Sequence, residues 1–270
     1  MSTFNLIEPL SLPQKTLEAL KGIALPANED QLRELFFSDP EAFQDYAAGE
    51  DDLVLLRLYL EWMSDTKAKY EALNIPAKYF RDSMRDIPIW CDDYLQKHQS
   101  PGFKEWAWVG RSLRMEVIRI GRLQFEPSQL LEAVSLDDCV FPVGTPVLEV
   151  HIPAGEPLDI ADVQASFALA PLFFKTYFGA EYSLFHCHSW LLSPSLKELL
   201  PEQSRIIHFQ NLFTIYHSDN EERQAEDRIF GFLSDDPNAY PESTSLQKAF
   251  KQYMLSGKTV MMGAGVRIIR

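Results

Sequence analysis

Cysteine is scarce in this chain: Cys91, Cys139 and Cys187 are the three in 270 residues, widely spaced and without a Cys-x-x-Cys pair. That spacing gives no disulfide framework, and free thiols in a reducing compartment are the plain reading. Long apolar runs are missing as well. Nothing approaches the ~18–20 continuous apolar residues of a membrane helix. The opening MSTFNLIEPLSLPQ lacks the basic and apolar regions of a secretion signal. Together these features lead us to expect a cytoplasmic protein with no membrane partner. Basic charge is short: 25 Lys and Arg stand against 39 Asp and Glu, a net charge of −14. A broad nucleic-acid surface is therefore not expected, and an anionic small ligand would need a local basic patch. Several catalytic signatures are absent too. There is no Gly-x-Gly-x-x-Gly ahead of a helix, no phosphate loop ending in Gly-Lys-Ser/Thr, no Gly-x-Ser-x-Gly and no His-Glu-x-x-His. Gly263-Ala264-Gly265 is too short to serve as a phosphate loop.

What is present is ample core material. The chain is 46% hydrophobic and 12% aromatic, enough for one large domain or two smaller ones. Periodicity divides it near Gly121. Up to about residue 120 the spacing of apolar residues is helical. Residues 53–73 carry them on most sides, which marks a helix central to a helical part. A helix over 103–120 would align Trp106, Val109, Leu113, Val117 and Ile120, with Arg111 and Arg114 opposite. Those arginines read most simply as a solvated face, and otherwise as an anion site. After Gly121 the period shortens to two. Residues 122–125 and 131–134 are expected to form a hairpin. Residues 147–152 and 183–192 are expected to be strands, with a helix between them capped by Asp159 and stopped at Gly179. The Asp/Pro-rich stretch 234–243 reads as a mobile lid.

The chemistry concentrates in two of these strands. In YSLFHCHSWLLSP (182–194), His186, His188 and Trp190 would face one way and Phe185, Cys187, Ser189 and Leu191 the other, because strand side chains alternate. In VLEVHI (147–152), Glu149 and His151 share a face. If the strands are neighbours, Glu149, His151, His186 and His188 meet on one surface. Imidazoles in an apolar strand must find partners, since an unpaired buried polar group costs roughly 1–3 kcal/mol. Core histidines bonded to backbone or to Glu149 are the simplest reading, and a general base is the functional one. Ser189 and Trp190 are expected to contact substrate, with Trp190 as a core or pocket wall. Cys187 would point away from the histidines, which argues against a Cys–His nucleophile. His208 and His217 read as ordinary edge residues. Two further readings stay open: four donors for a metal-dependent enzyme, and a non-catalytic ligand-binding module.

Particular stretches resemble a known family. GRLQFEP (121–127), VLEVHIPAGEPLD (147–159), LFHCHSWLLSPSLKELLP (184–201) and GAGVRI (263–268) are similar to bacterial acyltransferase-domain proteins. These join a helical N-acyltransferase N-terminal domain to a GNAT-like C-terminal domain. IPAKYFRDSMRDIPIW (75–90) resembles the former. The resemblance covers nearly the whole chain and implies an α+β fold, a helical part over 1–120 followed by a GNAT-like mixed sheet flanked by helices over 121–270. It further implies transfer of an acyl group from acyl-CoA, or a related thioester, to a small-molecule amine. In GNAT enzymes the strand before the main helix and the strand after it splay apart, and the acyl donor lies in the wedge with its pyrophosphate on the helix N-terminus. By position the wedge lies between 147–152 and 183–192, with Glu149 in the place of a frequent general base. Gly155, Arg111 and Arg114 are then the expected CoA contacts. One departure stands out. The usual pyrophosphate loop, Arg/Gln-x-x-Gly-x-Gly/Ala, is replaced by Pro153-Ala154-Gly155-Glu156-Pro157-Leu158-Asp159. Two of these residues are prolines without an N–H, and two are anions.

Overall fold

The computed structural model describes residues 10–136, 139–220 and 222–269. The chain divides into two compact units, Met1–Ile120 with Pro153–Gly155, and Gly121–Ile152 with Glu156–Arg270.

The first unit is built from α1 (Gln14–Leu20), α2 (Glu29–Ser38), α3 (Pro40–Ala47), α4 (Asp52–Ala72), α5 (Ala77–Met84), α6 (Asp86–His98) and α7 (Trp106–Leu113), with β1 (Ile118–Ile120) at its end. Asp51 starts α4 by accepting the Leu53 and Val54 amides, the ordinary role of an acidic N-cap. Leu55, Leu56, Leu58, Tyr59, Leu60, Trp62 and Met63 of α4 are all buried, so this helix is central, as its all-round apolar sequence requires. Its Tyr59 and Trp62 rings pack with Phe36 and Phe43. The helix expected over 103–120 is shorter than its periodicity implies. α7 stops at Leu113, Met115 takes a left-handed φ of 66°, and the chain resumes as β1. Thr66 ties the helix end by donating to the Leu113 carbonyl at 2.7 Å. The β-branched run beyond it prefers a strand.

The second unit holds β2 (Leu123–Gln129), β3 (Val134–Leu136), β4 (Cys139–Phe141), β5 (Pro146–His151), α8 (Ile160–Phe178), β6 (Leu184–Ser189), α9 (Leu196–Leu199), α10 (Arg205–Gln210), β7 (Thr214–Asp219), α11 (Gln224–Phe230), α12 (Ser245–Leu255) and β8 (Met262–Ile268). Five of its strands form a mixed sheet in the order β2-β5-β6-β8-β7. β5 and β6 are parallel, joined through α8, and the other pairs are antiparallel. The expected hairpin between 122–125 and 131–134 does not form. β2 pairs with β5 instead, and β3 pairs with β4 as a separate ribbon.

α8 begins at Asp159, whose side chain accepts the Ala161 amide, and ends at Gly179 with φ 65°. It covers one face of the sheet, where Phe167 packs on Phe185 with ring centroids 4.6 Å apart. Cys187 lies fully buried on that face, pointing away from the histidines. The opposite face has an apolar floor. Val147, Leu184 and Val266 are covered there by Leu130, Val134 and Leu136, with Phe141 and Tyr216 against them. A second apolar cluster, centred on Phe230, Tyr240 and Phe250, joins the helices between β6 and β8. The stretch 234–243, expected as a mobile lid, is fastened to this cluster. Tyr240 is buried and donates to Glu226 at 2.6 Å, and Arg223 donates to the Ser234 carbonyl and Asp235.

Candidate functional site

Glu149 and His186 face each other across the parallel β5–β6 ladder, on the face that carries the apolar floor. The ladder runs for three residue pairs and ends at this one, although β5 continues to His151 and β6 to Ser189. The strands therefore part just beyond Glu149 and His186. Glu149 bridges the parting. Its Oε2 lies 2.5 Å from His186 Nδ1, and its Oε1 accepts the His188 backbone N–H at 3.2 Å. Both oxygens of the carboxylate are thus used at the mouth of the wedge.

The opposite ring nitrogen of His186 meets the hydroxyl of Tyr216 on β7 at 2.9 Å. A carboxylate only accepts, so Nδ1 carries the proton, and in the neutral ring Nε2 accepts from the tyrosine. The result is an ordered chain of carboxylate, imidazole and phenol, with the histidine satisfied at both nitrogens. Burial, then Glu132 and Glu149, push the Tyr216 phenol up to about 12, so it remains a donor throughout the neutral range.

The other imidazoles of the sheet face carboxylates besides Glu149. His151 Nε2 lies 2.9 Å from Glu126 on β2, and His188 Nε2 lies 3.1 Å from Asp219 on β7. His217 Nε2 approaches the same Asp219 oxygen at 3.6 Å. The four expected residues share the sheet face, but the rings of His151 and His188 are bonded to Glu126 and Asp219 rather than to Glu149. Four donors converging on one metal would need a different arrangement. Among the described residues no three such side chains converge in that way.

The remaining expected contacts lie elsewhere. Trp190 leaves the strand alternation because β6 ends at Ser189 and residues Trp190–Leu192 form a 3₁₀ turn. Its ring packs edge-on against Phe250 in the second apolar cluster, 6.0 Å between centroids. The Ser189 hydroxyl caps that turn by accepting the Leu191 amide at 3.2 Å. Arg111 and Arg114, in the first unit, both face Glu116; Arg114 does so through two bonds of 2.6 and 3.0 Å. Gly155 has φ +91° and lies beside Ile89. The turn that follows is drawn inward, with the Arg122 guanidinium donating to the Glu156 and Pro157 carbonyls at 2.7 and 2.9 Å. Asp159 already occupies the Ala161 amide at 3.0 Å. The N-terminus of α8 is therefore self-capped.

Cys187 offers no nucleophile, because burial, and secondarily Glu149, raise its thiol well above the ordinary range. Tyr216, Asp219 and Glu126 lie outside the sequence expectation. β7 shifts register between Ile215 and His217, and such a bulge places two consecutive residues on one face. Simple alternation hides Tyr216 and Asp219 from a common surface.

Residues 1–115 match the N-acyltransferase N-terminal domain and residues 117–267 the GNAT-like C-terminal domain. Solved structures with the same fold include an acyltransferase in complex with decanoyl-CoA and teicoplanin, 20% identical, with a TM-score of 0.79. Another is an acyltransferase in complex with CoA and 10C-teicoplanin, also 20% identical, with a TM-score of 0.81. Each match covers 99% of this chain and 88% of the other. No curated protein matches. The chain belongs to the family that joins an N-acyltransferase N-terminal domain to a GNAT-like C-terminal domain.

Proposed function

We propose that this protein transfers an acyl group from the thioester of an acyl-CoA to the nitrogen of a small-molecule amine. The observation that carries the reading is the Glu149–His186 pair at the point where β5 and β6 stop pairing. Family membership supports acyl transfer, and the similar solved structures contain CoA or an acyl-CoA.

The reaction forms one bond and breaks another. The amine nitrogen attacks the thioester carbonyl carbon, and the carbon–sulfur bond breaks as the amide forms. The nitrogen must lose a proton, and the departing sulfur gains one. Imidazoles backed by carboxylates suit the first task. The sulfur leaves as the thiolate and takes its proton from solvent, while Tyr216, held protonated on His186, keeps that ring in place. Glu149 fixes the His186 tautomer and ties β5 to β6 where their pairing ends. The self-capped start of α8 leaves the CoA phosphates to other contacts.

The test is incubation with acetyl-, octanoyl- and decanoyl-CoA and a panel of primary amines. Released thiol and the mass of the acylated amine are both read. Stoichiometric thiol and amide are expected. Thiol release without an acylated amine would make the protein a thioesterase, and no turnover with any pair would refute catalysis.

A further inference from the structure

Two imidazoles stand two residues apart on β6, and their hydrogen bonding distinguishes them. His186 is bonded at both nitrogens, to Glu149 and to Tyr216. It cannot take a substrate proton unless the tyrosine moves. His188 is bonded only at Nε2, to Asp219 Oδ2 at 3.1 Å. An ionised carboxylate accepts and does not donate, so the proton of neutral His188 must sit on Nε2. Its Nδ1 lone pair then has no partner among the described residues. The His188 side chain is 36% exposed, while that of Asp219 is only 16% exposed. The base is thus accessible and its anchor sheltered. The backbone of His188 is fixed as well, through its N–H on Glu149.

We propose that Asp219 is the positioning residue of this site: it holds His188 in the Nε2–H tautomer, so that Nδ1 is the atom that takes the proton from the acceptor amine. The proposal rests on the acyl-transfer reading for its catalytic half. The proton passes from the amine nitrogen to His188 Nδ1 as the new carbon–nitrogen bond forms, and the electrons of the breaking carbon–sulfur bond leave with the thiolate. Asp219 touches no reacting atom. His217, whose Nε2 lies 3.6 Å from the same oxygen, also faces that carboxylate.

The experiment pairs nitrogen-15 NMR of the histidine rings with kinetics on the full chain. His188 of the wild type should show the Nε2–H tautomer. In D219N the side-chain amide donates to Nε2, so the signal should change to the Nδ1–H tautomer. Turnover should fall roughly 10²–10⁴-fold, with KM for acyl-CoA within about twofold of wild type. D219E should restore the Nε2–H form and part of the rate. A wild-type Nδ1–H tautomer overturns the proposal whatever the activity, and needs no variant to fold. So does a D219N enzyme that keeps its rate, or one that loses it with the tautomer unchanged. If the wild type transfers no acyl group although the tautomers behave as stated, it is the acyl-transfer reading that fails.

Discussion

Replacing Glu149 by Gln should reverse a hydrogen-bond chain rather than simply delete one contact. The carboxylate accepts from His186 Nδ1 and from the His188 amide. A glutamine oxygen can keep the His188 amide, but its NH₂ group then faces Nδ1. His186 must move its proton to Nε2, which points it at the Tyr216 oxygen, so the tyrosine must accept instead of donate. Hydrogen bonds to charged groups are worth about 1.5–3 kcal/mol, and a neutral bond retained in their place recovers part of that. With Glu149 and His186 side chains 17% and 16% exposed, the net cost should be about 1–3 kcal/mol, near a fall of ~2–4 °C in Tm per kcal/mol. Tyr216→Phe alone should cost about 0.5–1.5 kcal/mol. The chain also predicts non-additivity. Tyr216→Phe removes a donor to Nε2 in the wild type but the acceptor of Nε2–H once the introduced glutamine has turned the histidine, so the double variant should depart from the sum by at least ~0.5 kcal/mol. Chemical denaturation of the four proteins measures this. Additivity within about 0.3–0.5 kcal/mol would refute the chain.

Other consequences are equally direct. A Cβ on Gly263 would lie 2.3 Å from the Leu192 carbonyl oxygen, so Gly263→Ala should destabilise by about 1–3 kcal/mol or more, read by denaturant midpoint. Asp159→Ala should cost about 1 kcal/mol as a lost N-cap and leave KM for acyl-CoA unchanged, because that helix end is capped from within; a several-fold change in KM would mean that the phosphates reach it. Burial pushes the phenols of Tyr70 and Tyr216 up to about 12. Both favour the protonated folded state, so their contribution is complete below about pH 10 and is lost as pH rises towards 12. Denaturation midpoints should fall between about pH 10 and 12, and phenolate absorbance should rise further on unfolding.

The legible parts of the fold are those with local causes. Asp159 and Gly179 mark the ends of α8 because caps act within one turn. The alternation in VLEVH and LFHCHS locates two strands and puts Glu149 and His186 on one surface once those strands pair. What escapes the sequence depends on distant pairing. Whether β2 meets β5 or the segment at 131–134 is decided by the whole sheet, and both segments carry suitable residues. The end of α7 is hidden because Trp106, Val109, Leu113, Val117 and Ile120 fit one long helix as well as they fit a helix, a turn and a strand. Trp190 reads as a wall of the site only if β6 continues past Ser189. Tyr216 and Asp219 come from a strand that reaches the cluster through a bulge, which period-two reasoning cannot see.

The claim that the Glu149–histidine surface is catalytic rather than a satisfied core is tested most directly by His186→Gln and His188→Gln, each measured for stability, KM and kcat on the same preparations. Glutamine keeps much of the shape and some of the hydrogen bonding. The account predicts that folding and KM for acyl-CoA survive in both while kcat falls roughly 10²–10⁴-fold in His188→Gln, with a smaller loss in His186→Gln. Parallel losses of stability and activity, or full turnover in both variants, would contradict it.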